Sequence, residues 1–273
     1  MDRRHLRDGA GFSERSYKKL QELARIAHSQ LSAWTITHPG AHSWLIDMTA
    51  GDGQGIQKQQ RALFGDDLAD ATPIMLAKLC RRPDAERLIV CEKSGERRHV
   101  LRERVLKLVP DTVVLRRNQD LLSYDFGDCD YALIVLDPCG HGSYEEHLKI
   151  IQHIRAQAIK TDAILTFNQR SWSRHMGLHL QGEHDNRRIA ASRRAKQLYT
   201  WMPELNEWVS RLPGRYLARS RLTAQSAAFW FQFIVATDYL ADRIRRQKGW
   251  EIFDRANPNR PGTATAAASA LAG

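Results

Sequence analysis

The 273-residue chain contains no run of about 18 apolar residues, and its start, MDRRHLRDGAGFSERSYKK, lacks the apolar segment of a secretion signal. Neither a membrane span nor export is predicted, and the expectation is a cytoplasmic protein. Cysteine is scarce: Cys80, Cys91, Cys129 and Cys139 form no C-x-x-C pair and have no histidine at zinc-finger spacing. A disulfide framework and a structural metal site are therefore not expected, and no metal is assigned. Three of the four read as small core residues; Cys139 alone has a suggestive neighbourhood. No internal repeat is present. Acidic residues are the minority, 31 against 41 Lys and Arg, which leaves a net charge of +10. Such an excess suits a polyanionic partner, because Lys and Arg set against phosphates release condensed counterions. At 42% hydrophobic and 26% charged residues, the chain is long and apolar enough for a real core, which excludes a disordered tail or a miniature scaffold.

Periodicity predicts a first helix after Ser13, with Tyr17, Leu20, Ala24, Ala27 and Leu31 on one stripe, ending before His38, Pro39 and Gly40. Short, nearly continuous apolar runs then alternate with amphipathic stretches. The runs are Trp44 to Met48, Arg87 to Cys91, Thr112 to Leu115, Tyr131 to Leu136 and Ala163 to Phe167. Helices are expected near Gly55 to Leu63, Thr72 to Leu79, Glu96 to Leu108 and Tyr144 to Ala156. This is the pattern of a parallel sheet covered on both faces. Two β-like runs, Arg215 to Thr223 and Phe229 to Ala236, joined by Ala224, Gln225 and Ser226, imply antiparallel neighbours, and one more helix is expected from Asp238 to Gln247. The organisation predicted is an N-terminal helical extension over 1–40, one α/β domain over 41–255 and a disordered tail over 256–273.

The segment WLIDMTAGDGQG places Asp47 at the end of a buried strand and Gly51, Gly53 and Gly55 in the turn after it. Glycines there let a backbone approach a ligand at the point where doubly wound sheets open a crevice. A dinucleotide fingerprint would need a third glycine where Ile56 stands. The next strand ends in Glu92, an acidic tip able to accept hydrogen bonds from a pair of ribose hydroxyls, and the third ends in Asn118 and Asp120, where a side chain can read an adenine amino group.

DMTAGDGQG, the acidic strand end of VCEKS, NQD and LDPCG, in this order, resemble motifs I to IV of S-adenosylmethionine-dependent methyltransferases, specifically amino-group methyltransferases with a D-P-P-Y-like fourth motif. The closer likeness is to the three-Cys-motif partner proteins, with their A-G-x-G first motif, a following S-P-type segment (here Ala71, Thr72, Pro73) and a D-P-Y-G fourth motif. It covers roughly residues 44 to 170. The resemblance implies a Rossmann-like class I methyltransferase fold, a mostly parallel seven-stranded sheet with an antiparallel last strand. It also implies S-adenosylmethionine as cofactor, with Asp47, Ala50, Gly51 and Gly53 around its methionine part, Glu92 on the ribose and Asp120 on the adenine.

In YALIVLDPCGHGSY, Asp137 stands at the mouth of the fourth strand, followed by Pro138 and Cys139. An exocyclic amino nitrogen shares its lone pair with the ring and is a poor nucleophile. The Asp137 carboxylate and the Pro138 carbonyl would each accept a hydrogen bond from it, which positions the nitrogen and favours tetrahedral geometry. Amino-methyltransferases place an aromatic residue after the D-P pair to stack on an extruded base. This chain has Cys139 and Gly140 there, so Tyr144, Phe167 or Trp172 is the candidate replacement. A Pro-Cys pair is also how C5-cytosine methyltransferases present a thiolate nucleophile, which leaves Cys139 as an alternative centre. Further on, Arg187, Arg188, Arg193 and Arg194 begin an arginine-rich stretch interleaved with Tyr199, Trp201 and Trp208, a mixture suited to phosphate contact and base stacking. DNA or RNA is the expected partner, a protein partner is admitted, and a non-catalytic nucleic-acid-binding accessory protein is the reading from another class.

Overall fold

A computed structural model describes residues 14–51, 53, 71–137, 144–158, 160–168, 216–223, 229–236, 241 and 250–254. Its centre is an eight-stranded sheet. In chain order the strands are β1 (Ser43–Asp47), β2 (Glu86–Cys91), β3 (Val113–Leu115), β4 (Tyr131–Leu136), β5 (Lys160–Asn168), β6 (Tyr216–Thr223), β7 (Phe229–Ala236) and β8 (Trp250–Asp254). Across the sheet they run β3-β2-β1-β4-β5-β7-β6-β8. The first five are parallel, whereas β7 is antiparallel to β5 and β6, and β8 is antiparallel to β6.

This is the mostly parallel, Rossmann-like α/β architecture expected, with one strand more than the seven expected. The extra strand, β8, is the short segment WEIFD, which adds an edge beside β6. Five residues with two acidic ones among them carry too weak an alternation to stand out beyond the last expected helix. Of that helix only Ala241 lies within the described residues, and the helix expected near Gly55 to Leu63 lies outside them. The other boundaries stand where expected, as at Tyr131–Leu136, Phe229–Ala236 and Thr72–Leu79, or move by up to three residues, with β5 beginning at Lys160 rather than Ala163 and the third expected helix ending at Val105 rather than Leu108. Thr161 and Asp162, polar but buried, hide the true start of β5 from a reading based on apolar runs.

The helices with described bounds are α1 (Glu14–Thr37), α2 (Thr72–Leu79), α3 (Gly95–Val105) and α4 (Tyr144–Gln157), with a 3₁₀ turn over Asn118–Ser123. Alternation along each strand divides the core in two. Leu45, Leu88, Val90, Leu133, Val135 and Ile164 face α1, α2 and α3. Trp44, Ile46, Ile89, Ala132, Ile134 and Leu165 face α4 through Leu148, Ile151 and Ile154. A sheet buried on both faces needs such runs of apolar residues, and each fully buried Leu or Ile contributes about 2 kcal/mol.

Helix α1 contains neither Pro nor Gly, and Leu20, Leu23, Ala27, Leu31 and Trp34 recur at helical spacing on its buried side. Trp34 stacks on Tyr131 of β4 with ring centroids 4.9 Å apart, so this helix shares the core of the sheet. At α3, the Ser94 side chain caps the helix by accepting from the Arg97 N–H, with Glu96 in the first turn and Arg102 and Arg104 in the last, the order the helix dipole favours. No helix among the described residues is long and apolar enough to cross a membrane.

A carboxylate cluster at the switch point of the sheet

Strand β1 lies between β2 and β4, and beyond its last residue the backbone divides its hydrogen bonds between the two. The Met48 N–H still donates to the Val135 carbonyl of β4 at 3.0 Å, whereas the Ala50 N–H crosses to the Cys91 carbonyl of β2 at 3.2 Å. Neighbouring crossovers leave in opposite directions here, which opens a crevice at the carboxyl ends of the strands. Asp47, Ala50, Gly51, Glu92 and Asp137 all come to this place.

Asp47 is fully buried. Its Oδ1 accepts the Thr49 N–H at 2.8 Å, and its Oδ2 has no hydrogen-bond partner among the described residues. Burial pushes this carboxyl up to about 7, the Thr49 hydrogen bond opposes the rise, and the negative charges of Asp137 and Glu92 add to it. The three carboxyl groups are thus close enough to feel one another. Glu92 accepts the Ser94 N–H through Oε1 at 2.7 Å. Arg98 donates to the backbone carbonyls of Glu92 and Lys93, not to the Glu92 carboxylate.

Thr49 ties the two sides together. Its hydroxyl oxygen accepts the Asp137 N–H at 2.8 Å, while its own N–H serves Asp47. Asp137 is buried at the end of β4. Thr49 was not a candidate from the sequence; the signal for it was its place two residues after Asp47, the spacing of an Asx turn. Gly51 and Gly53 have φ of 63° and 67°, in the left-handed region. A Cβ at Gly53 would meet Leu101 Cδ1 at 3.1 Å, so this glycine serves the packing of the turn, whereas a Cβ at Gly51 would meet nothing within 4 Å. The second opening is the one a ligand can use.

Asp120 lies in the 3₁₀ turn after β3, where its Oδ2 accepts the Arg117 N–H at 3.0 Å. Burial first, then the charges of Asp47 and Asp120, push the Cys91 thiol up, which places both carboxylates about the end of β2. Cys80, Cys91 and Cys129 are free thiols; burial pushes Cys80 and Cys129 up to about 12, so neither is a thiolate nucleophile near neutrality. Among the described residues no group of three His, Cys, Asp or Glu could hold a metal ion. Pro138, Cys139, Trp172, Arg187, Arg188, Arg193 and Arg194 lie outside the described residues, as do the side chains of Tyr144 and Phe167.

No protein-family model matches the sequence, and no curated protein sequence matches it. Among solved structures, LPL1258 of Legionella pneumophila str. Philadelphia 1, of family model DUF519, superposes with a TM-score of 0.50 at 10% identity, over 84% of this chain and 95% of that one. The likeness is one of fold. An rRNA methylase from Streptococcus thermophilus matches at a TM-score of 0.38 and 12% identity, over 72% of this chain and 88% of its own. Precorrin-6y C5,15-methyltransferase from Geobacter metallireducens matches at 0.41 and 12%, over 80% and 89%.

Proposed function

We propose that the chain is an S-adenosylmethionine-dependent methyltransferase acting on an exocyclic amino group of a nucleic-acid base, in DNA or RNA. The observation that carries this reading is the carboxylate cluster: a buried Asp47 with an oxygen that has no partner among the described residues, beside Asp137 and Glu92, at the switch point of a sheet in a protein of net charge +10. Negative charge concentrated there against the overall balance calls for a cationic ligand, because a buried carboxylate without a partner is costly.

The residues fit the cofactor. Asp47 would face its cationic methionine part across the opening at Gly51, with the Ala50 and Gly53 backbone forming the rest of the turn. The Glu92 Oε2 would accept from ribose hydroxyls, and Asp120 with its neighbours would border the adenine. When bound, this cofactor supplies an activated methyl group. The protein's part is to hold the acceptor. Asp137 would accept a hydrogen bond from the amino group, with its backbone fixed by the Thr49 hydroxyl, and the Pro138 carbonyl would accept the second. Holding both hydrogens aims the nitrogen lone pair into the crevice; such positioning supplies several kcal/mol of barrier lowering. Tyr144, Phe167 or Trp172 would stack on the base, and Arg187, Arg188, Arg193 and Arg194 would meet the phosphates. We assign the methyltransferase domain to residues 41–255, with α1 docked on it.

The motif D-P-C-G supports a second reading, C5-cytosine methylation through Cys139, and its lack of an aromatic residue after D-P favours a third, a nucleic-acid-binding accessory protein without turnover. Incubation with labelled S-adenosylmethionine and mixed DNA and RNA, followed by mass spectrometry of the nucleosides, tests all three. An N-methylated nucleoside lost in Asp137→Ala and retained in Cys139→Ser supports amino methylation. A 5-methylcytosine product lost in Cys139→Ser supports the second reading, and cofactor binding without transferred label supports the third.

A further inference from the structure

Asn118 opens the 3₁₀ turn directly after β3, at the strand end where the cofactor reading puts the adenine. Its amide nitrogen lies 3.2 Å from Nε2 of His147, a residue near the start of α4 and 29 positions away in the chain. His147 is buried, and burial lowers its pKa, so the ring is neutral and carries one N–H and one lone pair. If Nε2 accepts from Asn118, the proton sits on Nδ1. That nitrogen has no hydrogen-bond partner among the described residues. A leucine would suit the neighbourhood of Leu148 and Ile151 without that cost. What the imidazole provides instead is an acceptor for one particular amide hydrogen.

An asparagine amide can turn over and present either its NH₂ or its carbonyl oxygen to a ligand. Committing Nδ2 to His147 selects one of the two orientations and leaves Oδ1 as the ligand-facing group. An acceptor there suits an amino group and opposes a carbonyl. We propose that His147 is a positioning residue that fixes the Asn118 amide, and thereby gives this crevice its preference for adenosyl over 6-oxo purine ligands. The proposal rests on the cofactor reading above and adds to it the discrimination between purines.

Calorimetry with S-adenosylhomocysteine and its 6-oxo counterpart, S-inosylhomocysteine, provides the test. The wild-type protein is expected to bind the adenosyl form at least tenfold more tightly. His147→Leu should lower that ratio about tenfold, about one hydrogen bond to an otherwise unpaired group, with most of the loss on the adenosyl side. His147→Gln, which keeps an acceptor, should restore part of the ratio. Asn118→Ala, at a partly buried position in the 3₁₀ turn, should lose the preference to the same extent and covers the case in which His147→Leu does not fold. A ratio unchanged in the folded His147→Leu or in Asn118→Ala overturns the proposal, as does a parallel fall in both affinities. Binding of neither ligand by the wild-type protein overturns the cofactor reading itself.

Discussion

Replacing Asp47 with Asn separates the electrostatic cost of the carboxylate cluster from its use. In the folded protein burial pushes the Asp47 carboxyl from the ordinary aspartate range up to about 7. Between those values the native state holds a proton that the unfolded chain has released, so stability falls as pH rises through this window and the full penalty is present above pH 7. A displacement that large corresponds to roughly 4 kcal/mol in all, more than half of it lost between pH 5 and pH 8. Asn keeps an oxygen for the Thr49 N–H and has no charge to bury. Urea unfolding of both proteins at pH 5, 6, 7 and 8 measures the difference directly, since every other titrating group is common to the two. Asp47→Asn should be more stable than wild type, by a margin that widens with pH. Parallel stability curves would refute the reasoning, because they would mean that Asp47 ionises in the folded protein as freely as in the unfolded one.

The two left-handed glycines should respond differently. Gly51→Ala is expected to cost about 1 kcal/mol of stability, from backbone strain alone, and to weaken cofactor binding tenfold or more, whereas Gly53→Ala adds a clash with Leu101 and should lower the melting temperature further; thermal melts and calorimetry distinguish them. Thr49→Val removes the acceptor of the Asp137 N–H, and should reduce methyl transfer ten- to a hundredfold with about 1–2 kcal/mol lost in stability, whereas Thr49→Ser should retain most of both when assayed side by side. At the opposite end of the sheet the buried Glu86 accepts from Arg82 Nε at 2.8 Å and from the Arg82 N–H at 2.9 Å, so Glu86→Ala should cost about 3 kcal/mol in urea unfolding without changing cofactor affinity.

The parallel half of the fold was legible because its strands are buried on both faces, and runs such as Tyr131 to Leu136 cannot be amphipathic helices of useful length. Strand β8 and the start of β5 were not. Polar residues there are buried through tertiary pairing, as Asp162 is by accepting from the Tyr131 hydroxyl at 3.0 Å, and local pattern does not encode such a partner. The site divides in the same way. Asp47, Glu92 and Asp137 could be read from their places at strand ends, since topology alone brings those ends together. Thr49 carried only the local signal of its spacing from Asp47, and His147 carried none, because their hydrogen bonds to Asp137 and Asn118 join residues distant in the chain.

Binding of S-adenosylmethionine measured by calorimetry, at pH 6 and pH 8 on wild type and Asp47→Asn, tests the central claim most directly. A cation held by Asp47 favours the ionised carboxyl, so wild-type affinity should rise with pH through about 7, whereas Asp47→Asn should bind weakly with little pH dependence. Absence of binding by the wild-type protein, or equal affinity of the two proteins at both pH values, would contradict the claim that this carboxylate cluster is built for a cationic methyl donor.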